Sequence, residues 1–465
     1  MGKNDNLGGV PVSAKKVNRG MSTTQLILLG FFVAIVVATV ILKLPISSAQ
    51  GEETTWLEAL FTAASTVCVT GLTVVDTFSH WSIFGKAVIL LLIQLGGLGV
   101  VAFSTGLLVL LGRKITLKDR LLLGSAFNLD SMSGLIGFLK KVFQGTVLLE
   151  LAGAVLLLPV FVPQYGATGI WYALFHAVSS FCNAGIDILG PNSLVPYATN
   201  LWLNLVTMVL IVLGGIGFIV WLDVLGVAAK IRRGELRRGQ FFRRLSLHSK
   251  ITLVTTGVLL LGGWLLFLLL EWSNADTLGR FGLGGKLLAS AFQSVTRTAG
   301  FVTIPTESLR DTSVLVCAVL MFIGGSSVSA AGGVKTTTIA LVFLAALSVV
   351  RGGDQVTAFR RTIPTRLVHR AMAIVTISFA TLMGCAVLLS AYHGGSLMDI
   401  LFEVTSALGT AGMSRGVVQE LGTAGKLLII CCMYFGRVGP ISLAIAFAGR
   451  KGNRTVFPQQ NITIG

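Results

Sequence analysis

An all-α, polytopic membrane fold is what this sequence predicts, with four pseudo-fourfold helix–re-entrant loop–helix repeats around one central pathway. Composition is the first observation behind it: of 465 residues, 54% are hydrophobic and 12% charged, where soluble chains carry about 25% charged residues. The second is a series of apolar runs at 25–42, 142–162, 201–220, 251–270, 314–323 with 339–350, and 371–389. Most of them approach the roughly 20 residues that cross a bilayer. The alternating short strands of a membrane β-barrel are not seen. The third observation is an internal repeat. TVCVTGLT, SFCNAGID, VTRTAGFV and LGTAGMSR centre on Gly71, Gly185, Gly300 and Gly412, at intervals of 114, 115 and 112 residues.

The first repeat covers 23–112. Its outer helix ends near Lys43-Leu44-Pro45, and a short helix follows over 56–66. A helix of about 11 residues rises about 16 Å, half the hydrocarbon core, so it enters the membrane and turns back. VCVTG is the turn, and an inner helix runs over 85–111. After a connector at 113–139, the second repeat (140–227) copies the plan with helices at 140–162, 170–180 and 201–227. A basic connector at 228–247 precedes the third repeat (248–350), with an outer helix at 248–271, a half helix at 287–295 and a long inner segment at 312–350. Another basic connector at 351–368 leads to the fourth repeat (369–449), with helices at 369–392, 397–408 and 426–448. Polar segments at 1–22 and 450–465 flank the repeats. The first apolar run lacks a small-residue cleavage site after it and reads as a retained helix.

The repeats agree in register. Six residues before each loop glycine stands a serine (Ser65, Ser179, Ser294, Ser406), and ten before it stand Phe61, Phe175, Ser290 and Phe402. The inner segments carry GGLG at 96–99, GGIG at 214–217, GGSS at 324–327 and GRVG at 436–439. Small residues of this kind mark close helix packing in membranes.

The formal net charge of +17 does not indicate nucleic acid, because most lysines and arginines lie in the termini and the inter-repeat segments, with few acids among them. All these segments fall on one side of the membrane. By the positive-inside rule that side is cytoplasmic, and so are both termini. The charges set topology alone, or also meet anionic lipid or an acidic partner. The six cysteines form no CxxC pair, so neither a metal site nor disulfides are implied. HExxH and GxSxG are absent, and His176 and Asp187 have no nucleophile motif beside them, which argues against an enzyme.

Irregular backbone at membrane depth survives only where protein buries it or a wet cavity adjoins it. Four such turns around one axis present rings of carbonyl oxygens, which can replace the hydration shell of K⁺. The candidate ion-binding backbone is Cys68, Val69, Thr70 and Gly71; Cys182, Asn183, Ala184 and Gly185; Arg297, Thr298, Ala299 and Gly300; and Gly409, Thr410, Ala411 and Gly412. Each half helix points its partly negative C-terminus at the centre, which favours cations. Asp187 either attracts cations at the outer mouth or caps locally. Arg297 would repel them unless paired away from the axis, and Glu403 on the fourth half helix is its expected partner, in a structural pair.

In the third inner segment, Gly324, Gly325, Ser326, Ser327, Ser329, Gly332 and Gly333 disfavour a continuous helix, and Lys335 follows. The segment reads as a broken helix that forms a barrier below the filter. Arg437 lies at a depth where charge is costly. It bonds either to loop carbonyls or to an acid, latching the gate.

These features resemble the Trk, Ktr and HKT superfamily of potassium transporters, most closely the Ktr-type membrane subunit. The resemblance rests on LFTAASTVCVTGLTVVDT (60–77), LIQLGGLG (92–99), VPQYG (162–166), LFHAVSSFCNAG (174–185), GGIGF (214–218), RTAGF (297–301), MFIGGSSVSAAGGVKTTT (321–338), FRRT (359–362) and GRVGP (436–440). It implies channel-like K⁺ uptake across the cytoplasmic membrane, with Gly71, Gly185, Gly300 and Gly412 in the filter. Glycine in all four loops is the family's K⁺ pattern. A Na⁺-selective or Na⁺-coupled transporter of the same fold is the alternative. The resemblance further implies a gating loop at 324–333, an inner-helix arginine at Arg437 and a homodimer. It also implies a KtrA-like cytoplasmic ring of RCK subunits that binds ATP or ADP, while this chain carries no cofactor of its own. Cys68 and Cys182 stand where the family more often has Thr and Asn, and the third loop reads as one residue short before Arg297.

Overall fold

The computed structural model describes residues 23–49, 51–99, 102–103, 105, 134–353 and 355–439. The first and fourth inner helices, expected over 85–111 and 426–448, end at Leu98 and Val438, where Gly99 and Gly439 take φ of +85° and +89°; most of the chain expected beyond them, most of the connector at 113–139, and the end segments at 1–22 and 450–465 lie outside the described residues. The chain is mostly helical; among the described residues one two-residue hairpin, Thr357–Ala358 with Arg361–Thr362, is the sole sheet.

Among the described residues, four helices are long and apolar enough to cross a membrane: α1 (Thr23–Lys43), α4 (Leu135–Tyr165), α8 (Leu247–Glu271) and α12 (Thr365–Tyr392). Their outward faces stay apolar and exposed, with Phe32, Val33 and Val37 on α1 and Val258, Leu261 and Leu269 on α8. Lipid tails are as apolar as leucine, so such faces cost nothing in a bilayer. Association of these helices instead rests on close packing and polar bonds.

Inside this ring lie four shorter helices, α2 (Trp56–Cys68), α5 (Thr168–Phe181), α9 (Leu283–Val295) and α13 (Leu397–Gly409). Their last turns are almost wholly buried: Ala63 to Cys68 in α2 and Phe402 to Gly409 in α13. The start of α2 is fixed by a capping box. Thr55 Oγ1 accepts from the Glu58 amide at 3.2 Å, and a Glu58 carboxylate oxygen accepts from the Thr55 amide at 2.7 Å. Two orphan donors are thereby satisfied.

The inner helices are α3 (Ile83–Leu98), α6 (Leu201–Gly215) continued as α7 (Phe218–Arg232), α10 (Asp311–Phe322) followed by α11 (Thr336–Val350), and α14 (Thr423–Val438). The second was expected to run unbroken over 201–227. It bends instead by 100° between Gly215 and Phe218. Gly217 takes φ +99°, and the Phe218 amide leaves the helix to bond the Val328 carbonyl at 2.9 Å. The glycine motifs explain the packing they were read to mark. A β-carbon at Gly96 would strike the Val67 carbonyl, one at Gly214 the Phe181 carbonyl and one at Gly436 the Leu408 carbonyl, so the first, second and fourth inner helices press their backbones onto the ends of their own half helices, while Gly324 of the third meets the Gly332 carbonyl of its own loop.

Candidate ion pathway

The four short helices end in non-helical segments that meet one another. Gly71, Gly185, Gly300 and Gly412 have φ of +95°, +67°, +77° and +84°, where side chains are strained. A β-carbon on Gly71 would collide with the Ala184 carbonyl oxygen, one on Gly185 with that of Ala299, one on Gly300 with that of Ala411, and one on Gly412 with that of Thr70. The contacts thus run in a closed cycle, each glycine against the residue before the next glycine. All four glycines line one cavity of about 540 Å³, together with Asp76, Asp187 and Glu307. Asp187 both faces this vestibule and caps locally, accepting from the Leu189 amide at 3.2 Å. Desolvation pushes its carboxyl up to about 6.

Three of the turns share one construction. Val69, Asn183 and Thr410, two residues before their glycines, are left-handed with φ of 56°, 57° and 47°. The amides of Thr70, Ala184 and Ala411 reach back to the carbonyls of Ser65, Ser179 and Ser406 at 2.8, 2.8 and 2.9 Å. The third turn differs. Thr298 is not left-handed, and the Ala299 and Gly300 amides return to the Thr296 carbonyl at 2.8 and 2.9 Å. Thr296 Oγ1 donates to the Phe301 carbonyl at 2.7 Å, as Ser179 Oγ donates to that of Ile186 at 2.5 Å. Thr296 therefore takes the serine's place, and buried Phe292 that of the phenylalanine, so this loop is two residues shorter rather than one. The register of Ser294 is a coincidence; its hydroxyl donates to the Leu260 carbonyl of α8 at 2.7 Å.

The expected pair between Arg297 and Glu403 is not formed. Arg297 Nη1 donates to the carbonyls of Leu320 at 3.1 Å, Gly324 at 3.4 Å and Ile323. These are the orphan acceptors where α10 stops, at the negative end of its dipole. A cation meets a helix C-terminus there, and no carboxylate is needed. Glu403 serves its own loop: one oxygen accepts from Ser414 Oγ at 2.6 Å and the Arg415 amide at 2.8 Å, while Arg415 Nε pairs with Asp399 at 2.5 Å.

Helix α10 ends at Phe322 and α11 starts at Thr336, with a compact loop between. The Gly324 amide bonds the Val334 carbonyl at 2.9 Å, and that of Gly325 the Gly332 carbonyl at 3.2 Å. The amides of Ser326 and Ala330 bond carbonyls of α6, Gly215 at 2.8 Å and Gly214 at 3.1 Å. Ser329 Oγ donates to the Ser326 carbonyl at 2.7 Å, Ser327 pairs with Thr337 at 3.0 Å, and Lys335 Nζ donates to the Ala331 carbonyl at 2.7 Å. The loop abuts the fourth turn: a β-carbon on Gly332 would strike the Thr410 side chain, and Gly333 lies beside the Gly409 carbonyl. Of the two bonding modes open to Arg437, carbonyls prevail; it donates to Ala330 of this loop, and to Gly96 and Gly97 of α3, the last at 3.4 Å.

Two polar connections escaped the sequence reading. Thr298 Oγ1 donates to Asn183 Oδ1 at 2.9 Å, tying the second and third turns. Behind the second turn, Gln94 of α3, Glu150 of α4 and Cys182 form a triangle. For the latter a signal existed, a lone acid within the apolar run at 142–162.

Half-length helices whose ends meet one another beside membrane-length helices fit a polytopic membrane protein, and the family that the chain matches is one of membrane ion transporters rather than enzymes. Residues 8–454 match the TrkH family, described as cation transport protein, and the chain belongs to it. It is 39% identical over 444 residues to the Ktr system potassium uptake protein B of Bacillus subtilis, covering 95% of this chain and 96% of that one. It is 38% identical over 466 residues to the potassium/sodium uptake protein NtpJ of Enterococcus hirae, covering 98% and 100%. The crystal structure of the potassium transporter TrkH from Vibrio parahaemolyticus shares the fold, with a TM-score of 0.70 and 19% identity over 94% of this chain and 86% of that one.

Proposed function

We propose that this chain is the membrane subunit of a K⁺ uptake system of the cytoplasmic membrane, built of four pore repeats. The closed cycle of contacts among Gly71, Gly185, Gly300 and Gly412 carries this reading. Backbone carbonyls of the sixteen loop residues named above replace the hydration shell of K⁺, and the acids of the outer vestibule gather the ion. Inward movement follows the membrane potential, which supplies about 2.3 kcal/mol per charge per 100 mV. The loop between α10 and α11 is the gate, held by Arg297 on the filter side and latched by Arg437. The basic segments face the cytoplasm with both termini, and they dock a KtrA-like RCK ring that binds ATP or ADP. Two chains associate as a homodimer. The likeness to relatives named for a Ktr system supports the partner and the cargo.

A second reading, Na⁺-selective or Na⁺-coupled transport, is favoured by one observation: a relative of equal similarity is named for potassium and sodium. Expression in a bacterium without K⁺ uptake systems, with and without a matching RCK subunit, separates the two. Rescue of growth in low K⁺, lost on Gly71→Ser or Gly300→Ser, supports K⁺ uptake. Failure of a well-expressed chain, with Na⁺ influx instead, supports the alternative.

A further inference from the structure

The triangle behind the second turn has a geometry that the transport reading does not use. Glu150 lies on the inward stripe of α4 with Thr146, Gly153 and Leu157, all buried. The spacing of three and four residues puts them on one face. Gly153 lets α4 come close, since a β-carbon there would meet the Leu210 side chain of α6 at 2.7 Å. Among the described residues no cation pairs with Glu150. One carboxyl oxygen accepts from Gln94 Nε2 at 3.1 Å, and Cys182 Sγ faces the other at 3.7 Å and Gln94 Oε1 at 3.5 Å. The thiol is wedged as well as bonded: a β-carbon on Gly97 of α3 would lie 2.5 Å from it. Cys182 is three residues from Gly185, and its own amide caps α5 on the Val178 carbonyl at 2.9 Å. On the opposite flank, Asn183 donates to the Ile211 carbonyl at 3.2 Å and accepts from Thr298.

We propose that Glu150 and Gln94 are positioning residues for the second turn, holding Cys182 so that the carbonyls leading to Gly185 sit at the spacing that sets cation preference. The inference rests on the K⁺ reading for the identity of the preferred ion. An isolated acid at this depth is costly unless its oxygens have work to do. Here both are turned to the loop and to its neighbouring inner helix. A buried triangle of this kind acts as a unit, so removing one member releases the others.

The test reconstitutes the full-length chain in liposomes at a fixed membrane potential and reads the ratio of K⁺ to Na⁺ influx. That ratio is internal to each sample and does not depend on how much protein folds. Glu150→Gln keeps shape and hydrogen bonding and stays within about twofold of the wild-type ratio. Glu150→Leu and Gln94→Leu each lower the ratio about tenfold, and the double variant falls no further than the worse single one. Unchanged ratios in Glu150→Leu and Gln94→Leu, whatever the total flux, overturn the proposal. If Glu150→Leu yields no folded protein, Gln94→Leu and Cys182→Ala decide by the same ratio. Should the wild type carry Na⁺ in place of K⁺, the K⁺ reading fails, while a shift or constancy of the ratio in the variants still decides the positioning role.

Discussion

In the turns that end at Gly71, Gly185 and Gly412, a left-handed residue swings the chain around a serine, and two of these residues, Val69 and Thr410, are β-branched. Such residues store of order 1–3 kcal/mol of strain each. In the turn that ends at Gly300, the helix closes on Thr296 with no left-handed residue at Thr298, and the arginine that follows Thr296 reaches down to the end of α10. Only there is the inner helix interrupted by a 13-residue loop among the described residues. The difference teaches that the third turn reaches the segment beneath it through a charged side chain, whereas the fourth meets the same loop by packing at Gly409 and Thr410, and the first two are braced by their serines and inner-helix backbones, with the Gln94–Glu150–Cys182 triangle added in the second. Shortening the turn by two residues is what brings Arg297 within reach of the Leu320 and Gly324 carbonyls.

The largest effect that would break this comparison comes from the shared cycle. Gly185→Ala drives a methyl group into the Ala299 carbonyl and abolishes K⁺ influx at normal expression, whereas Gly226→Ala, where the added carbon meets nothing within 4 Å, leaves influx unchanged. Next is Arg297→Leu. It strips buried carbonyls of their donor at about 1–3 kcal/mol each and lowers influx at least tenfold, since about 1.4 kcal/mol of that cost felt by the filter suffices for this factor. The charge-swapped pair Arg297→Glu with Glu403→Arg restores nothing, since the two side chains have different partners; recovery in a flux assay would reinstate the pair. A smaller effect is expected at the vestibule. The Asp187 carboxyl, raised by desolvation to about 6, is charged above that pH and neutral below it. K⁺ affinity therefore weakens as external pH falls through about 6, and Asp187→Asn removes that dependence in an uptake titration. The smallest effect sharpens the comparison most. Ser179→Ala and Thr296→Val each slow influx by a few-fold, about 1 kcal/mol for a lost buried hydrogen bond, while Ser294→Ala, whose lost hydroxyl bonds α8 and not the turn, matches wild type.

Much of this was legible in the chain. Glycines at a fixed interval gave the four turns because only glycine accepts both the positive φ and the close approach of the next loop. The run of glycine and serine at 324–333 gave the interrupted helix because such residues weaken helical propensity. What stayed hidden has a physical reason in each case. In the third turn one missing residue was read where two are missing, because a serine stands at the equal six-residue spacing by chance while Thr296 does the work. The partners of Arg297 and Arg437 are backbone carbonyls, which every residue has and no sequence marks. The bend at Gly217 has a local counterpart in Gly99 and Gly439, the last glycines of their motifs, which end their helices at φ of +85° and +89°; the motifs were read for packing and not as helix ends.

The loop between α10 and α11 does not rest in its place by shape alone. Its amides at Ser326 and Ala330 are spoken for by Gly215 and Gly214, and its Val328 carbonyl by Phe218. To move aside it must give up all three at membrane depth, where lipid offers no replacement. On the gating role proposed above, water that enters the pore can take them over, so the conducting state would be a hydrated one and its formation a wetting transition. Solutes too large to enter the pore, by drawing water from it, would then hold the passage shut.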